Sequence, residues 1–106
     1  MDATRLLPPG PCALHGPHAP HVASRDEHHV VPASWWAAAG RPSASRRVAV
    51  CPTGHRNVHA ALDLLVAHQG AAPWAAWRHF GPAERALATE GYESAVAAGL
   101  TPAPTL

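Results

Sequence analysis

RRVAVCPTGHRNVHAALDLLVAHQG, residues Arg46 to Gly70, changes its hydrophobic period halfway along. In RRVAVCP (46–52) Val48 and Val50 alternate with other residues, so they share one face of a strand. From Thr53 onward the apolar residues Val58, Ala61, Leu62, Leu65 and Val66 recur at three and four, the spacing of one helix face. The pattern predicts a helix over 53–70, with Thr53 as its N-cap and Gly70 as its stop. Leu62, Leu65 and Val66 are assigned to the core.

Upstream, DEHHVVP (26–32) predicts a second strand over 27–31 that ends at Pro32. The connection ASWWAAAGRPSAS (33–45) has room for one helical turn around Trp35 and Trp36, closed by Gly40 and Pro42. The order is therefore strand, connection, strand, helix. Residues 1–25 are rich in Pro, Gly and His, which excludes a helix and predicts an irregular arm. Downstream, Pro82 suits the first turn of a helix reaching about Glu90, with Gly91 as its stop. Trp74, Trp77, Phe80 and Tyr92 are expected to dock this block on the core, and the tail TPAPTL to fray. The sum is one α+β domain: an arm (1–25), a core (26–70) and a helical C-terminal cap (71–106).

The composition agrees with a single small domain. The chain has 106 residues, and much of its 47% hydrophobic content is alanine, so the four tryptophans are expected to carry much of the burial. A net charge of +1 excludes a polycation. The local distribution is less even: Arg41, Arg46, Arg47 and Arg56 lie in a stretch, 41–59, without an acid. Such a patch is either a footprint for phosphates or an ordinary solvated face. Two cysteines, Cys12 and Cys51, are too few for a disulfide framework. No apolar run has the length of a signal peptide or a membrane span. The expectation is a cytoplasmic protein, with reduced thiols available as metal ligands.

Nine histidines carry the chemistry. His55 and His59 are four apart, so on a helix their Cβ atoms lie about 5–6 Å apart on one face and both rings reach one cation. His28 and His29 are adjacent, so on a strand they face opposite ways. The topology returns the first strand over the helix start. One member of the pair then completes a three-imidazole metal site, and the other is left to move a proton, as a free imidazole does near neutral pH. Three nitrogen ligands with an open fourth position make a catalytic pattern, suited to Zn, Ni or Mn more than to Mg. Chance clustering in a histidine-rich chain explains the joint spacing poorly. His68 and His79 read as structural or merely exposed. Trp35 and Trp36 read as a cover for the hairpin rather than as stacking platforms for bases.

DEHHVVP … RRVAVCPTGHRNVH resembles the HNH endonucleases of the ββα-metal group, and in particular the short HNH proteins of actinobacteria and their phages. It is also similar to the colicin nuclease domains. The likeness covers 26 to about 69. It implies a ββα-metal core with His28, His55 and His59 as ligands of a divalent metal and His29 as general base. The implied reaction is phosphodiester hydrolysis, most readily of DNA, in a bacterial cell or a phage-infected host. The shortness of the chain leaves room for a partner protein in targeting. His29 would take a proton from water, the metal would neutralise charge at phosphate, and Arg46, Arg47 and Arg56 would hold flanking phosphates. Three departures stand out, one of them the connection ASWWAAAGR (33–41) in place of the Gly-rich turn common in relatives. Arg46 occupies the position where the family often has Asn. Of the paired Cys-x2-Cys zinc ligands of many relatives, this chain has Cys12-x2-His15 and Cys51-x2-Gly54. Cys12, His15 and Cys51 therefore remain as candidate structural zinc ligands, with His18 or His21 as a fourth. The alternative function is a catalytically inactive, metal-stabilised module of the same fold that binds nucleic acid or serves phage assembly. A purely structural protein whose histidines bind nothing is the third reading.

Overall fold

The computed structural model describes residues 6–8, 10–15 and 24–106; His18 and His21 lie outside them. The fold is a small mixed α+β domain. Its elements are β1 (Leu6–Leu7), β2 (Arg25–His29), α1 (Ala33–Ala38), β3 (Arg47–Val50), α2 (Pro52–Ala67), α3 (Trp74–Trp77) and α4 (Pro82–Ala97). The three strands form one antiparallel sheet in the order β1-β2-β3. In the β2–β3 ladder His28 stands opposite Val48, and His29 opposite Arg47.

The described residues of the arm include a short strand. Leu6 and Leu7 pair with Asp26 and Arg25 along the outer edge of β2. Arg25 fastens the following turn, donating from Nε to the Pro8 carbonyl (2.8 Å) and from Nη1 to the Pro11 carbonyl (3.3 Å). Among the described residues two join the ladder, and Pro8, next along the chain, has no N–H to offer it.

The expected strand over 27–31 sits two residues earlier, at Arg25–His29. Beyond it the ladder continues in another form. The Val30 amide donates to the Arg46 carbonyl (2.9 Å), and the Val31 amide donates to Ser45 Oγ (2.8 Å). Ser45 in turn donates to the Arg46 carbonyl at 2.7 Å, so one hydroxyl ties both ends of the connection together. The connection does contain the expected helical turn, as α1, and buries both Trp35 and Trp36.

Helix α2 starts at Pro52, and its N-cap is Cys51 rather than Thr53. The Cys51 sulfur accepts from the Gly54 amide at 3.2 Å, satisfying one of the open donors of the first turn, and Pro52 at the first position has no donor to satisfy. The helix ends at Ala67, and the chain reverses through Gly70 in the left-handed region (φ 90°). Val58, Ala61, Leu62 and Leu65 are buried as the periodicity requires.

Gly91 does not stop the last helix. It lies inside α4, which runs on to Ala97, and is buried against the Val30 carbonyl, where a Cβ would collide with that oxygen. The glycine here serves close approach rather than termination. It lets α4 pack tightly behind the end of β2. Gly99, with φ 77°, reverses the chain after α4.

The main core unites Val31, Trp35 and Trp36 with Ala61, Leu62 and Leu65 of α2, Ala88 and Ala95 of α4, and Leu100. Trp77, Phe80 and Tyr92 pack on it as expected. Trp74 does not: 64% of its surface is exposed, with Arg85 lying 5.4 Å from its ring centre. A smaller cluster of Cys12, Val50 and Cys51 closes the other end. The tail does not fray. Trp35 Nε1 donates to the Ala103 carbonyl at 2.9 Å, and Thr105 and Leu106 are tied to α2. Among the described residues no helix is long and apolar enough to cross a membrane.

Candidate metal centre

Asp26 and His28 lie on the buried face of β2, while Arg25, Glu27 and His29 on the other face are only half-buried. His28 is fully enclosed, at 0% exposure. The first turns of α2 bring His55 and His59 beside it. The three rings meet edge to face, with centroids 5.1 Å (His28–His55), 5.3 Å (His28–His59) and 4.8 Å (His55–His59) apart. One nitrogen from each lies within 4.8 Å of the other two, so the group could hold a metal ion.

Hydrogen bonding fixes which nitrogens converge. The Asp26 carboxylate lies 3.0 Å from His55 Nδ1 and, as an acceptor, takes the proton there. Thr105 Oγ1 donates to Asp63 at 2.8 Å, so its oxygen accepts from His59 Nδ1 at 2.9 Å. Both rings therefore carry a proton on Nδ1 and, in their neutral forms, direct a lone pair from Nε2. These two atoms face each other at 3.1 Å. Between two neutral rings the opposed lone pairs repel, and a cation between them, a proton or a metal ion, turns the repulsion into attraction. Tetrahedral metal–nitrogen bonds would separate two ligands by roughly 3.3 Å, close to this spacing.

His28 supplies the independent sign. Neither of its ring nitrogens has a hydrogen-bond partner among the described residues, although both are buried. An unpartnered buried polar atom is costly, and a bound ion is one way to satisfy it. Burial, then the neighbouring His59 and His55, with smaller contributions from His29 and Arg46, lowers its pKa from 6.5 to about 3. The ring is thus neutral, which is the form that binds metals.

His29 is next in the chain but on the other face of the strand, half-buried and opposite Arg47. The four histidines singled out in the sequence therefore divide as expected, three together and one apart.

A second group joins Cys12, His15 and Cys51, whose ligand atoms also lie within 4.8 Å of one another. The Cys51 amide donates to Cys12 Sγ at 3.1 Å. Burial pushes the Cys51 thiol above its ordinary pKa. The position that would complete a second pair, Gly54, is filled by the Leu14 side chain, which lies where a Cβ would stand.

The arginines are less uniform than their clustering suggests. Arg46 makes a two-pronged ion pair with Glu90 of α4, Nε to Oε2 at 3.0 Å and Nη2 to Oε1 at 2.6 Å. That hydrogen bonding raises its pKa further. Arg47 reaches Glu27 at 3.5 Å, and Arg56 is exposed on the first turns of α2. Asn57 donates to Glu84 at 3.0 Å and takes no part in the imidazole group.

Three polar residues of the centre escaped the sequence reading: Asp26, Asp63 and Thr105. Two had a signal. Asp26 precedes His28 by two and shares its strand face. Asp63 follows His59 by four and shares its helix face. Thr105 had none, since its role depends on the docking of a distant tail. Comparison of the chain with protein-family models, curated proteins and solved structures returned no match.

Proposed function

We propose that the chain is a metal-dependent endonuclease of the HNH type that hydrolyses phosphodiester bonds, with DNA as its substrate. The observation that carries this reading is the convergence of His28, His55 and His59, with His28 buried and unpartnered, one residue before a second histidine on the opposite strand face. Three neutral imidazoles leave room for an exogenous ligand on a divalent ion, as catalytic sites do. Zn, Ni or Mn suits such nitrogen donors better than Mg. Bound there, the ion would supply Lewis-acid stabilisation of charge on the phosphate.

The chain's own groups perform the remaining work. His29 accepts a proton from water as the water oxygen forms its bond to phosphorus. The bond from phosphorus to the 3′-oxygen breaks, and that oxygen leaves with a proton from solvent. Asp26 keeps the His55 ring turned with Nε2 inward. Arg56 is the cation best placed to hold a flanking phosphate, because Arg46 is already engaged by Glu90 and Arg47 lies beside Glu27.

The Arg46–Glu90 pair and the full enclosure of His28 also favour a second reading, a metal-stabilised module that binds nucleic acid without cutting it. Nicking of supercoiled plasmid separates the two. Wild type and His29→Ala are assayed in parallel with Mn, Ni, Zn and Mg. Metal-dependent nicking that is lost in the variant while metal stays bound supports the nuclease. Absence of nicking by the metal-loaded wild type would leave the binding module.

A further inference from the structure

After α4 the chain turns back. Gly99 adopts the left-handed conformation, the Leu100 amide donates to the Ala95 carbonyl (2.9 Å), and the Leu100 side chain enters the main core. Trp35 then holds the Ala103 carbonyl. The segment ends against α2, where a single carboxylate gathers it. Asp63 accepts from the Thr105 amide (2.7 Å), the Thr105 hydroxyl (2.8 Å) and the Leu106 amide (2.9 Å). The same hydroxyl oxygen faces His59 Nδ1 at 2.9 Å.

This arrangement forms a directed chain. With its proton committed to Asp63, Thr105 Oγ1 presents lone pairs to His59 and demands a proton on Nδ1. In the neutral ring Nε2 is then the lone-pair nitrogen, and it faces His55 Nε2. Resting on the metal site argued above, we propose that Thr105, oriented by Asp63, is a positioning residue of that site, so that the strap 101–106 and the metal bind to the domain cooperatively.

Partners of this kind fix tautomer and ring direction, and their loss costs about 10- to 100-fold in metal affinity. Linkage makes the effect reciprocal: whatever the docked strap adds to metal affinity, the metal returns to strap docking. A residue that merely filled space would show no such reciprocity.

Co²⁺ titration of the full chain tests the proposal, read at the visible ligand-field band of the imidazole group. The near-ultraviolet thiolate band reports the cysteine group separately. Thr105→Val, which keeps the shape of the side chain and removes the oxygen, is expected to weaken Co²⁺ binding by about 10- to 100-fold. Thr105→Ser, which restores the oxygen, is expected to bind as wild type. Circular dichroism of each metal-free variant checks that the domain is folded. In the wild type, Co²⁺ or Zn²⁺ is expected to slow amide hydrogen exchange at Thr105 and Leu106. Wild-type affinity in a folded Thr105→Val protein, or exchange at these amides indifferent to metal, would overturn the positioning role while leaving the metal site intact. Wild-type protein without the visible band would overturn both.

Discussion

His55 and His59 turn their Nε2 atoms toward each other at 3.1 Å, each with its Nδ1 proton held from behind, by Asp26 and by Thr105. The sequence spacing explains why the rings are neighbours. The outer hydrogen bonds explain why Nε2, and not Nδ1, is the nitrogen each ring offers to a cation.

Asp26 should therefore act on a metal it does not touch. Asp26→Asn still offers an oxygen, but it removes the negative charge that favours the Nδ1 proton and enriches the ring's Nε2 electron density. Zinc affinity, measured by competition with a chromophoric chelator, is expected to fall by about 10- to 100-fold. Unchanged affinity would mean that the His55 orientation is set by packing alone.

His28 gives the metal-free protein a defined acid sensitivity. Its folded pKa is about 3 against 6.5 unfolded, so between these values the unfolded chain binds the proton and the folded one does not. Stability from this group is complete above pH ~6.5 and is lost as pH falls toward 3, at up to about 1.4 kcal/mol per unit. Urea unfolding at pH 7, 6 and 5 should show the decline, and His28→Leu should flatten it. A decline equally steep in the variant would assign the sensitivity to other groups.

Gly91 is expected to reject even a methyl group. In an exposed helix interior, Gly→Ala gains roughly 1 kcal/mol. At this position the new Cβ meets the Val30 carbonyl, so α4 must move off the end of β2. Gly91→Ala should lower stability by about 1–3 kcal/mol. A raised melting temperature would show that the approach of α4 to β2 is looser than described.

Among the basic residues, the ion pairing sets an order. Arg56→Ala is expected to reduce the salt dependence of DNA binding by about one phosphate contact, and Arg47→Ala by less, because Arg47 shares its charge with Glu27. Arg46→Ala should leave that slope unchanged, because its guanidinium is committed to Glu90. A reduced slope in Arg46→Ala would show that DNA displaces Glu90.

Local pattern carried much of the site. Period two placed His28 and His29 on opposite faces, and period 3.6 placed His55 beside His59. The alternation in Val48 and Val50 and the helix spacing from Val58 to Val66 located β3 and α2. What depended on distant packing was not legible. Gly91 reads as a helix stop unless one knows that Val30 lies behind it. Thr53 is a better N-cap by residue type than Cys51, but the approach of Cys12 and Leu14 selects the cysteine. The last six residues look like a fraying tail because their partners, Trp35 and Asp63, are 68 and 42 positions away along the chain.

A metal held by three imidazoles leaves its mark on long-range proton–nitrogen spectra of ring-labelled protein recorded during zinc titration. One equivalent is expected to shift the Nε2 signals of both His55 and His59 together with one ring nitrogen of His28, while Nδ1 of His55 and His59 stays protonated. Saturation of zinc binding with these signals unmoved would rule out the three-imidazole site.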